Sequence, residues 1–134
     1  MRQILFRGKR LNDGAWIEGD LSRCVVVGET HIRRIEDNLS ATTHRIAPET
    51  VCQYTGLTDK NGRKIFEGDI VKAVYKPKDE DLTMDDFVIK WDKYYCKFVG
   101  HYMKKENVYN PLLFGSQNSF EVIGNIFDNT ELKE

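Results

Sequence analysis

Carboxylates, thiols and imidazoles are the side chains with which this chain could do chemistry, and their spacing decides how much weight each carries. Two Glu-Gly-Asp triplets occur, Glu18-Gly19-Asp20 and Glu67-Gly68-Asp69. Read as chemistry, Glu18, Asp20, Glu67 and Asp69 are paired carboxylates for proton transfer or for an oxygen-liganded metal. Read as architecture, they are turn residues, since Gly permits a positive φ and Asp bonds nearby backbone N–H groups. The turn reading carries more weight, because Gly and Asp are the residue types that tight turns demand. The cysteines, Cys24, Cys52 and Cys96, are odd in number, far apart and in no C-x-x-C pair. They read as reduced thiols of a cytoplasmic protein, buried or half-buried. His31, His44 and His101 lie near no cysteine at zinc-finger spacing, so no metal site is expected. There is no phosphate-binding Gly-rich loop, H-E-x-x-H, G-x-S-x-G or Cys-His signature, so no catalytic residue and no cofactor is assigned.

Cations and aromatics offer a second chemistry. Arg2, Arg7, Lys9 and Arg10 group at the start; Arg33-Arg34, Lys60-Arg63-Lys64 and Lys104-Lys105 follow. Trp91, Tyr94, Tyr95 and Tyr102 could stack on nucleic-acid bases. Twenty Lys plus Arg against twenty-one Asp plus Glu leave a formal charge of -1, so the whole chain offers a polyanion no net attraction. The preferred reading puts the aromatics in the core and the cations on ordinary solvated faces.

The elements that must position these residues are β-strands. Ile4 to Phe6 is a short apolar run, Asp13-Gly14 a hairpin turn, and Ala15 to Leu21 the return strand, ending in a Gly19-Asp20 turn. Cys24 to Val27 reads as a strand with His31 to Ile35 as its partner, and Asp37 to Thr43 as a polar loop. Pro48-Glu49-Thr50 suits a short helical turn. A turn is predicted at Asp59 to Gly62, another at Glu67 to Asp69, and a strand over Ile70 to Tyr75. Lys76 to Asp86 reads as a polar, mobile loop. Phe87 to Trp91 and Tyr94 to Val99 form a predicted hairpin about Asp92-Lys93, with aromatics facing each other across the strands. Phe120 to Phe127 is the last strand. Short helices are assigned to Lys104 to Val108 and, capped by Asn129 or Thr130, to Glu131 to Lys133. Gly14, Gly19, Gly62 and Gly68 are the expected turn scaffold.

A chain of 134 residues makes one domain, or two small lobes sharing one core; the lobes would be 1–47 and 48–134. Short strands and frequent Gly-containing turns predict an all-β fold with at most minor helices, and Gly-Asp turns entering β-branched strands give it the character of a small SH3-like barrel. No apolar run approaches the roughly 18 residues of a membrane span, and the apolar stretch after Met1 is too short for a signal peptide.

Pro48-Glu-Thr-Val-Cys-Gln-Tyr-Thr-Gly-Leu-Thr-Asp-Lys-Asn-Gly-Arg-Lys-Ile-Phe-Glu-Gly-Asp-Ile-Val71 resembles the central signature of the YopX-like proteins of bacteriophages and prophages. Phe120-Glu-Val-Ile-Gly-Asn-Ile-Phe-Asp-Asn129 is similar to that family's C-terminal pattern, and Ile4-Leu-Phe-Arg-Gly8 is a looser match. The resemblance spans nearly the full length as a single domain, 1–134. It implies a phage or mobile-element origin and a β-rich fold, with no established activity and no catalytic residues to carry over. Within the signature Gln53, Tyr54, Thr55, Asp59, Glu67 and Asp69 are the candidates for a shared surface, although a buried Tyr with a bonded hydroxyl explains Tyr54 without a ligand.

A non-catalytic binding or self-assembly module is the leading expectation, and a nucleic-acid-binding accessory protein the alternative. An enzyme is the least supported class. Homo-oligomers are expected because small β domains have strand edges to cover, with Phe87 to Trp91 or Phe120 to Phe127 the expected pairing strands. A protein or nucleic-acid partner is compatible with the composition; a membrane is not expected.

Overall fold

A computed structural model describes residues 2–24, 26–75, 83–103, 109–110 and 120–129. Among them the regular structure is β, in two antiparallel sets, with one 3₁₀ turn at Pro48–Thr50. The chain divides into two compact units, Met1–Tyr54 and Thr55–Glu134, a boundary later than the 47/48 division read from the sequence. No helix among the described residues is long and apolar enough to cross a membrane.

The first unit is built from β1 (Phe6–Lys9), β2 (Trp16–Cys24), β3 (Glu29–Ile35), β4 (Ala41–Arg45) and the first residues of β5 (Cys52–Thr58), in the order β4-β3-β2-β1-β5. The β1–β2 turn forms where expected. Asp13 accepts the Ala15 N–H at 3.0 Å and holds Arg10 at 2.5 Å, and Gly14 sits at φ +71. Alternation along β2 and β3 brings Ile17 and Ile32 together with Ile46, and Phe6 and Val51 pack on this cluster.

Three expectations fail here. β2 runs straight through Glu18-Gly19-Asp20 to Cys24, so Gly19 is a strand glycine rather than a turn glycine. Gly19 faces Phe6 of β1, and Asp20 pairs Arg33 of β3. Pairing on both sides satisfies the backbone better than a turn would. The β2–β3 turn comes at Val26-Val27-Gly28, with Gly28 at φ +67, so the strand expected over Cys24 to Val27 is not seen: Cys24 ends β2, and Val26 and Val27 belong to the turn. The polar stretch 37–43 is only partly loop. Asp37 closes its turn by accepting the N–H groups of Leu39 and Ser40, and Ala41–Arg45 then pairs with β3 as an edge strand.

The second unit holds the rest of β5, β6 (Lys64–Phe66), β7 (Asp69–Tyr75), β8 (Thr83–Asp92), β9 (Lys97–Tyr102), β10 (Tyr109–Asn110) and β11 (Phe120–Asn125). β6 pairs with β5, and a five-stranded sheet has the order β10-β9-β8-β7-β11. Its core is Ile65, Val71, Ala73, Phe87, Ile89, Phe120 and Val122, with Leu57 and Phe98 packed against it.

The Glu67-Gly68 turn forms as predicted, with Gly68 at φ +84. Its Gly68 N–H donates to the Ile89 carbonyl at 2.8 Å, and its carbonyl accepts the Ile126 N–H at 3.0 Å. The expected 76–86 loop is shorter than its composition indicated. Residues 83–86 are already β8, zipped to β7 from Tyr75↔Thr83 to Lys72↔Asp86, while 76–82 lie outside the described residues. The helices expected at 104–108 and 131–133 also lie outside them. Phe87 to Trp91 is interior to the sheet, between β7 and β9, so it is not a free edge. β11 is an edge strand, but its Val122 is core.

Candidate functional site

The signature residues are mostly tied into the scaffold. Gln53 pairs with Phe6 in the register of β1 and β5, and Tyr54 is buried, donating its N–H to the Leu5 carbonyl at 2.8 Å. Thr55 donates its hydroxyl to the Ile65 carbonyl at 2.7 Å and accepts the Leu57 N–H at 3.2 Å. Asp59 is 5% exposed. Its Oδ1 accepts the Asn61 and Arg63 N–H groups, each at 2.9 Å, and its Oδ2 accepts the Val122 N–H at 3.0 Å. Burial disfavours the charged form, but the three backbone donors and the nearby Arg63 outweigh it and hold the carboxyl below 3.8. One side chain thus closes its own turn and fastens it to a strand 63 residues away in sequence.

Asp69 is 1% exposed and accepts the Phe66 N–H at 2.8 Å, which closes the Gly68 turn. Glu67 is half-buried on that turn. Glu18 and Asp20 are exposed on β2, opposite Arg7 and Arg33 in register. Among the described residues no three His, Cys, Asp or Glu gather where they could share a cation. Asp59 and Asp69 act as clamps, and Glu18 and Asp20 sit opposite cations across the strands.

Several cations are held in one of three settings. Arg10 pairs with Asp13, Arg34 with Glu36, Arg45 with Glu29, and Lys60 with Glu121. Arg7 and Lys9 flank the half-buried Trp16 ring, with Arg7 Cζ 4.6 Å and Lys9 Nζ 5.3 Å from its centroid. Lys93 and Lys97 instead stand over exposed rings. Lys93 Nζ is 5.5 Å from the Tyr94 centroid and Lys97 Nζ 5.8 Å from that of Tyr95.

These last two belong to the turn between β8 and β9. Asp92 Oδ1 accepts the N–H groups of Tyr94 at 2.8 Å and Tyr95 at 3.1 Å, so the loop is shaped by its own first residue. Cys96 closes the loop at φ +51, the single non-glycine in the left-handed region among the described residues. The hairpin forms where the sequence put it, and Trp91 meets Phe98 across the strands, edge to face at 5.1 Å. The core assignment for its aromatics is wrong. Trp91 is 50% exposed, Tyr94 84% and Tyr95 57%. Large rings at such exposure, together on one hairpin, are the kind of surface that marks a contact site.

A family model for the YopX protein matches residues 5–134. The chain belongs to the YopX family. This YopX chain is also similar to a solved structure, protein EF1440 from Enterococcus faecalis. That likeness has a TM-score of 0.56 and 20% sequence identity, and it covers 100% of both chains; it supports the fold. No curated protein matches the YopX chain.

Proposed function

We propose that this YopX protein is a non-catalytic binding module and that the β8–β9 hairpin is its contact surface. The observation that carries the reading is the exposure of Trp91, Tyr94 and Tyr95 on one short hairpin whose backbone is held by Asp92. Burying a ring of this size in the protein's own core would stabilise it by about 2 kcal/mol. A hairpin that leaves three rings in water gives up that gain, and contact with a partner recovers it. The reading assigns no catalytic residue, cofactor or metal. Its test is stability. Tyr94→Ser combined with Tyr95→Ser should leave the melting temperature within about 4 °C of the parent, since surface substitutions stay within about 0.5 kcal/mol each. A large loss would mean that the rings serve the fold.

Self-association is the second reading, and β4 supports it. Ala41–Arg45 is the outer strand of its set, its residues are mostly exposed, and an edge strand offers unpaired backbone groups to another copy. Light scattering at high micromolar concentration tests this. A mass above the monomer that falls with Thr42→Lys and Thr43→Lys supports it, and a monomer rejects it.

A further inference from the structure

Resting on the hairpin as contact surface, we infer that its ligand is single-stranded nucleic acid, with bases stacked on Tyr94 and Tyr95 and phosphates placed by Lys90, Lys93 and Lys97. Lys90 and Lys97 share one face of the hairpin by the register of β8 and β9, and from Lys90 to Lys97 three lysines stand against one aspartate. Asp92 spends one carboxylate oxygen on the Tyr94 and Tyr95 N–H groups, inside the loop. The tip is thus locally positive in a chain of formal charge -1.

A nucleotide chain offers a flat π-face and a phosphate at every step, which is the complement of a ring with an ammonium beside it. The ammonium groups of Lys93 and Lys97 already lie within 6 Å of the Tyr94 and Tyr95 centroids. Single strands expose their bases to such rings, whereas a duplex keeps them stacked internally. The tip carries no aliphatic side chain of the Leu or Ile type, which membrane-inserting segments normally present. Net charge over the whole chain hides this arrangement, because it sums the tip with carboxylates elsewhere, such as Glu121 beside Lys60 and Glu29 beside Arg45.

The test is fluorescence anisotropy of a labelled oligo(dT) of about a dozen nucleotides, long enough for a small single-strand site. Binding is expected at low salt with a dissociation constant of roughly 1–100 µM, and log K should fall with log salt at a slope of about -2 for three phosphate contacts. Tyr94→Ala with Tyr95→Ala should weaken binding roughly 100-fold, about tenfold per ring. Tyr94→Phe with Tyr95→Phe keeps the ring faces and should bind like the parent. Melting curves of every variant confirm that it is folded.

Failure of the ligand assignment and failure of the surface assignment look different. If oligo(dT) does not bind, while the Ala pair abolishes binding to phosphatidylserine vesicles or lowers a mass measured by light scattering, the hairpin remains the contact surface and the nucleic-acid assignment falls. The same assignment falls if duplex DNA binds as well as the single strand. If oligo(dT) binds equally to the parent and the folded Ala pair, the contact surface lies elsewhere and both statements fall.

Discussion

Asp59 shows how much one buried carboxylate can organise. Three backbone N–H groups point at its two oxygens, so replacing an oxygen with an amide puts a donor against a donor. Asp59→Asn should cost about 3 kcal/mol, the size of leaving a buried polar group badly satisfied. Urea denaturation measures it, and a loss below about 1 kcal/mol would show that the clamp is dispensable. The pH dependence has a definite sign. A carboxyl held below 3.8 contributes stability above pH 3.8, and that contribution is lost as pH falls through 3.8 toward the folded value. The parent should therefore lose more stability on acidification than the variant.

His101 acts in the same direction nearer neutrality. Burial and then the Lys90 charge push its pKa below 6.5, against the pull of Asp92. The unfolded chain binds the proton more readily, so stability is full above pH 6.5 and falls as pH drops below it. In His101→Gln the part of the melting-temperature decline that begins near pH 6.5 should be flatter. Cys96 is the strained residue of the hairpin. A β-branched side chain at φ +51 is a true outlier, so Cys96→Val should cost about 2 kcal/mol, whereas Cys96→Gly should be close to neutral. Thermal melts of the two variants separate the effects.

At the scale of elements, the two Glu-Gly-Asp triplets make a useful contrast. Both read as turns, yet one lies in β2 and the other joins β6 to β7. Gly68→Val should unfold or severely destabilise the protein because the backbone is at φ +84. Gly19→Val should be as damaging for a different reason. A Cβ there would collide with the Arg33 carbonyl oxygen on β3 and approach the Ile32 side chain at 2.9 Å. Gly14→Ala is the control. Its turn has φ +71 but nothing within 4 Å of the added carbon, so only about 1 kcal/mol of backbone strain is expected. Melting temperatures should rank Gly14→Ala well above the other two. β4 was not legible as a strand because Ala41, Thr42 and Thr43 are exposed, and an edge strand recruited by its neighbour shows no alternation of its own.

For the whole molecule, the described core falls into two clusters, one in each compact unit. Ile32 and Phe87 are each among the largest fully buried side chains. Ile32→Ala should cost about 2–5 kcal/mol and Phe87→Ala about 3–5 kcal/mol, by lost burial plus the cavity left behind. Amide hydrogen exchange should rise mainly in Met1–Tyr54 for the first and in Thr55–Glu134 for the second. A uniform rise across both units in either variant would show that they open as one.

The residue order by itself determined the all-β class, the turns at Gly14, Gly62 and Gly68, the 3₁₀ turn at Pro48–Thr50, the β8–β9 hairpin and the family. Each rests on local chemistry: a residue that tolerates positive φ, a proline that fixes it, a carboxylate that caps a loop, or a long contiguous signature. Tertiary structure alone decided that Gly19 is a strand residue, that Asp59 reaches Val122, and that Phe87 to Trp91 is interior. It also decided that Trp91, Tyr94 and Tyr95 face water. A ring on a strand or turn is equally suited to a core or a surface in its own segment. What covers it is supplied by chain far away in sequence, and no local pattern records which faces remain uncovered.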